Sequence, residues 1–207
     1  MAIGTSFRRI VAGVALAALA ATTPLQFGAH AEDDGVLDSA EDALKDLSRL
    51  LDTLSKALPE GQKVVASSLA DAINTAHERA KPDARPMPSD LATDLNPFFA
   101  TTPWIFERVR WVMLDEVGGL TDLVMLNPDV NAITLNDIIV FRDKAQAETD
   151  RVLWAHELVH VLQYETLGVA GFANEYLETG GADFEKEADD FSQHVKEKLA
   201  AMRPKLT

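Results

Sequence analysis

The stretch WAHELVHVLQY, Trp154 to Tyr164, places two histidines four residues apart in an apolar run, with a glutamate directly after the first. On a helix, positions i and i+4 lie one above the other on the same face, so the imidazoles of His156 and His160 can reach a single point. That spacing suits two zinc ligands, which sit about 2.0–2.1 Å from the ion. Glu157 falls about 100° further round the helix. There it lies beside such an ion but outside the ligand set, where a carboxylate can take a proton from water. Leu153, Leu158, Val161 and Leu162 surround the motif, as expected of a helix lining a cleft.

Working outward, residues 147–166 are continuously compatible with helix, and Leu167-Gly168 supplies a stop signal. A catalytic zinc needs a third protein ligand and an open position for water. A third histidine six residues after His160 would be one solution, but Thr166 stands there. A glutamate from a later helix is the other. FEKEADDF, Phe184 to Phe191, lies on an amphipathic helix over 182–199 and offers Glu185 and Glu187, one on each side of the apolar stripe. Periodicity leaves the two open. Asp189, one turn after Glu185, favours Glu185, because a carboxylate there could orient the site from outside the ligand set.

Upstream, RVRWVML (Arg108 to Leu114) reads as a strand, and AITLNDIIVF (Ala132 to Phe141) as a short hairpin turning at Asn136-Asp137. The pattern is α+β, mainly helical, with a small sheet. Val36, Ala40, Leu44, Leu47, Leu51, Leu54 and Leu58 mark one amphipathic helix, which Pro59-Glu60-Gly61 breaks. Val65, Leu69, Ala72, Ile73 and Ala76 mark another. Residues 32–81 are therefore expected to form a helical hairpin that inhibits, docks a partner or completes the core. Residues 82–90, rich in proline, read as a linker, and 91–207 as the domain that carries the motif.

Residues 1–31 read as a signal peptide: Arg8 and Arg9, an apolar run from Ile10 to Ala21, then Ala29-His30-Ala31 as the cleavage pattern. The apolar run is too short to span a bilayer, which takes roughly 20 residues. An exported chain is expected, with the periplasm as default and the extracellular space as the other destination, and no stable membrane insertion after cleavage. The formal net charge is −14, and removing the two signal arginines makes it more negative still. Such a field repels phosphate backbones and anionic lipid surfaces, so nucleic acid is not an expected partner. With no cysteine, neither a disulfide framework nor a thiolate zinc site can be built.

The HELVH helix followed by ExEAD resembles the gluzincin class of zinc metallopeptidases. More narrowly, AITLNDIIVF, LWAHELVHVLQY and FEKEAD in that order resemble the small bacterial metallopeptidase domain found in extracellular contractile injection system cargo and toxin-like proteins. The resemblance covers about residues 108–198. It implies a zincin-like core, with a small antiparallel sheet or hairpin beside the active-site helix and a second helix bearing a ligand. It also implies one Zn2+ per chain on His156, His160 and Glu185, Glu157 as general base, and Asp189 supporting the ligands. Tyr176, Tyr164 and His194 are candidate stabilisers of the transition state. The expected function is an exported zinc-dependent metallopeptidase, cutting a peptide or protein substrate with a zinc-activated water. A zincin-fold metal-binding scaffold without turnover is the alternative, and another metal-assisted hydrolase a third reading.

Overall fold

The computed structural model describes residues 59–117 and 130–202. The signal-like segment and the stripe from Val36 to Leu58 lie outside the described residues. The second expected helix is present as α1, Pro59–Ala80. Its stripe Leu69, Ile73, Ala76 and Ala80 is buried in the same cluster as Ile138 and Val140 of the sheet and Phe172 and Phe184 of the later helices. Burying such a stripe against a sheet is what gives an amphipathic helix most of its stability.

The proline-rich segment is built into the sheet. Arg85–Pro86 forms β1 and pairs antiparallel with β2, Arg110–Met113. Proline has no N–H to give, and β1 stands at the edge of the sheet, where none is required. Met87 is buried, and the Trp111 indole donates to the Pro86 carbonyl at 3.1 Å. Two short helices, α2 (Ser89–Leu95) and α3 (Ile105–Arg108), follow. β2 starts two residues later than the sequence suggests because Arg108 closes α3.

The hairpin forms as expected: β3, Ala132–Leu135, and β4, Ile138–Phe141, pair antiparallel. Asn136 sits between them at φ 58°, the left-handed conformation that asparagine tolerates. The sheet order is β1-β2-β4-β3, and β2 runs parallel to β4. The sheet is thus mixed, which corrects the antiparallel expectation. The reason lies in β4. All four of its residues are buried, as in a strand covered on both faces. Ile138 and Val140 meet the α1 side, and Ile139 and Phe141 meet Trp154 and Leu158 on the other.

The motif-bearing helix differs from expectation at both ends. The chain breaks at Asp150 between α4, Lys144–Thr149, and α5, Arg151–Thr179. Asp150 adopts φ −87° and ψ 92°, and its carboxylate accepts from the N–H groups of Val152 and Leu153, both at 3.0 Å. It is an N-cap, and it starts the helix two turns before the histidines. The Trp154 indole donates to Ala147 O at 2.7 Å and holds α4 against this start. At Gly168 the backbone leaves helical geometry (φ 67°, ψ 167°), yet the helix resumes to Thr179. Phe172, Ala173 and Tyr176 are buried beyond the kink, so tertiary packing recovers the helix that the glycine interrupts. Gly180 and Gly181, at φ 66° and 71°, then turn the chain into α6, Ala182–Met202. No described helix is long and apolar enough to cross a membrane.

Candidate metal centre

α5 and α6 pack side by side, and their shared seam brings together His156, His160 and Glu185. His156 Nε2 and His160 Nε2 are 3.1 Å apart. Glu185 Oε2 lies 3.4 Å from His156 Nε2, and Oε1 lies 3.5 Å from His160 Nε2. Three donors at about 2.0–2.1 Å from a tetrahedral ion are separated by about 3.3 Å. The nitrogen–nitrogen spacing of 3.1 Å lies near that value, and so does the approach of each Nε2 to its own oxygen of the Glu185 carboxylate, at 3.4 and 3.5 Å. Two imidazole nitrogens and a carboxylate oxygen are also a donor set that suits zinc. The group therefore fits a metal ion.

The outer nitrogen of each ring is held. His160 Nδ1 is 2.8 Å from Gln163 Oε1, and His156 Nδ1 is 3.2 Å from Asp189 Oδ1. Partners on the outer nitrogens fix the rings so that both Nε2 atoms point inward. Glu187, left open beside Glu185 by periodicity, is engaged elsewhere: its Oε2 accepts from Gln163 Nε2 at 2.9 Å. The structure thus places Glu185, not Glu187, in the donor group.

Burial works against charge on His156, but the hydrogen bond to Glu185 and the charges of Glu157, Glu185 and Asp189 outweigh it and lift its pKa to about 9. Burial pushes the Glu185 carboxyl upward, and the hydrogen bond from His156 with the charges of both histidines brings it below its ordinary value. Nitrogens and a carboxylate crowded this closely need a shared cation, either a proton or a metal ion.

Glu157 is buried, at 4% exposure, and lies outside the donor group. Its Oε2 accepts a 2.7 Å hydrogen bond from the Thr134 hydroxyl of β3. Thr134 is itself only 5% exposed. The sequence reading did not single it out, although a hydroxyl within an otherwise apolar strand beside the motif helix is the signal that could have found it.

The three candidate stabilisers are placed differently. Tyr164 and Tyr176 are buried in an aromatic stack with Phe172 and Phe184. Burial, aided by Tyr176 and the Glu157 charge, drives the Tyr164 pKa upward; burial and the Glu185 charge do the same for Tyr176. Both phenols keep their hydrogen and can donate it. His194 does not join the group. It is exposed on α6 two turns and more beyond Glu185, with its ring edge-on to Phe98 at 6.4 Å. Trp154, Phe172 and Phe184 are core residues, as read from sequence, and Phe191 packs against the core partly buried.

Residues 86–168 match the family model described as the eCIS core domain. The match runs from the second residue of β1 through β2, the hairpin and the HELVH segment of α5 as far as Gly168, and it ends before Glu185 and Asp189. No match is found among curated proteins or solved structures.

Proposed function

We propose that the chain is an exported zinc-dependent metallopeptidase. The observation that carries this reading is the donor group of His156, His160 and Glu185, with the two Nε2 atoms 3.1 Å apart, each 3.4–3.5 Å from one oxygen of the Glu185 carboxylate, and with the buried Glu157 carboxylate on the histidines' helix. A divalent ion held by these three residues would supply Lewis-acid activation of water and of the scissile carbonyl.

The chain's own residues do the rest. Glu157 takes the proton of the attacking water and passes it to the leaving amine. Thr134 holds one oxygen of that carboxylate, which leaves Oε1 as the proton acceptor. Asp189 and Gln163 hold the two rings. Tyr176 and Tyr164, kept protonated by burial, are the hydrogen-bond donors proposed to meet the developing oxyanion. The eCIS core match supports an association with extracellular contractile injection systems, and the signal-like residues 1–31 support export to the periplasm. A peptide or protein is the proposed substrate.

Zinc content and cleavage of a peptide library, measured together on wild type and Glu157→Gln, test the reading. We expect about one zinc per chain in both proteins, with cleavage confined to the wild type. Zinc without cleavage in the wild type would leave a metal-binding scaffold. Full cleavage by Glu157→Gln would remove Glu157 from the base role.

A further inference from the structure

We infer that Gln163 is a positioning residue that sets which ring nitrogen of His160 carries the hydrogen, and ties that choice to the backbone of α6. The inference rests on the metal-centre reading above. Gln163 is buried. Its Nε2 donates to the Phe184 carbonyl at 3.2 Å and to Glu187 Oε2 at 2.9 Å, while its Oε1 lies 2.8 Å from His160 Nδ1.

The orientation of this amide follows from its neighbours. A backbone carbonyl can only accept, so Phe184 requires the NH2 group on the α6 side. The amide oxygen then faces His160, and only a hydrogen on Nδ1 satisfies it. That leaves the Nε2 lone pair directed at the point shared with His156 and Glu185. Flipping the amide would set its oxygen against the Phe184 carbonyl and the Glu187 carboxylate, and its NH2 against a ring nitrogen. The NH2 group could still donate to an unprotonated Nδ1, but the α6 side would set oxygen against oxygen and lose both of its bonds, which decides the orientation.

Two consequences separate Gln163 from Asp189, the corresponding partner of His156. The Asp189 side chain is 51% exposed, so water can replace it, whereas the Gln163 bonds to His160 and to the Phe184 carbonyl are buried. Phe184 also directly precedes Glu185 in sequence. The amide that orients one histidine therefore grips the main chain one residue from the carboxylate ligand, and a single side chain registers donors from both helices.

Two measurements on the full chain test this. Long-range 1H–15N correlations of the histidine rings, recorded on metal-free wild type with the ring neutral, should show His160 hydrogenated on Nδ1. Zinc affinity, measured by chelator competition, should fall by about 10–100-fold in Gln163→Met, which keeps the length and loses the amide. Helix content of that variant should be unchanged. Hydrogen on Nε2 in the wild type, or equal zinc affinity in a folded Gln163→Met, would overturn the inference. Should that variant fail to fold, the wild-type spectrum still decides. A wild type that binds no zinc but keeps the Nδ1 hydrogen would remove the metal reading and leave the positioning role in place.

Discussion

Replacing Thr134 by valine keeps the shape of the side chain and deletes the hydroxyl that donates to Glu157 Oε2 at 2.7 Å. Both residues are at most 5% exposed, so water cannot readily replace the lost donor. A hydrogen bond to a charged group contributes about 1.5–3 kcal/mol, and Thr134→Val should cost about that much in urea unfolding at pH 7. The cost should depend on the carboxylate. In a Glu157→Ala background only the longer, 3.3 Å approach to the Glu157 main-chain carbonyl remains, and Thr134→Val should cost much less, because the carboxylate acceptor is gone. The coupling energy from this double-mutant cycle should thus be the larger part of that ~1.5–3 kcal/mol. Unfolding should be run with chelator, so that metal linkage does not enter. Equal destabilisation by Thr134→Val in both backgrounds would refute the proposed bond. It would also take away the physical reason for the proposed division of labour between the two oxygens of Glu157.

Glu185→Ala should abolish tight zinc binding, while Glu187→Ala weakens it far less; isothermal titration of the two variants checks the order. Gly168→Ala should lose about 1–3 kcal/mol in thermal or urea unfolding, since φ 67° with ψ 167° is a region open essentially to glycine alone. No atom lies within 4 Å of the added methyl, so backbone strain would be the whole cause. His77 and Asp137 are 2.7 Å apart and link α1 to the hairpin turn. Their hydrogen bond raises the His77 pKa and lowers that of Asp137. The histidine's contribution is full below its unfolded pKa of about 6.5 and is lost as pH rises through the folded value; the aspartate's is present above about 3.9 and is lost as pH falls. The stability gap between wild type and His77→Ala should therefore be widest between about pH 4 and 6.5 and narrow on either side, as urea unfolding across pH would show.

Much of this architecture was legible in the sequence because it rests on periodicity. The i, i+4 pair of histidines, the hairpin about Asn136-Asp137 and the stripe from Phe184 to Leu199 each record which face is buried, and each survives in the fold. The break at Asp150 and the helix beyond Gly168 were not legible. Residues 147–166 are good helix formers on both sides of Asp150, and only the N-cap geometry reveals the break. The helix past Gly168 is recovered by contacts with α1 and α6 that no local window contains. The parallel pairing of β2 with β4 is equally non-local. At the centre itself, spacing brought the histidines together but could not choose between Glu185 and Glu187. That choice was made by Gln163, which stands three residues after His160 on the same helix face and occupies Glu187. His194 was suggested by its residue type alone, and its place on α6 turned it towards Phe98.

The parallel register of β2 and β4 also bears on the route to the native state. β3 and β4 are joined by two residues, so their hairpin can close on the microsecond scale. β2 must wait for the chain from Leu114 through Asp137 to loop back before Trp111 meets Ile139. Loop-closure entropy is lost before that pairing gives anything in return. Folding rates should accordingly respond to changes at Asn136, while changes in β2 should chiefly accelerate unfolding. The strand that bears Thr134 would then be paired before β2 adds to the far side of β4.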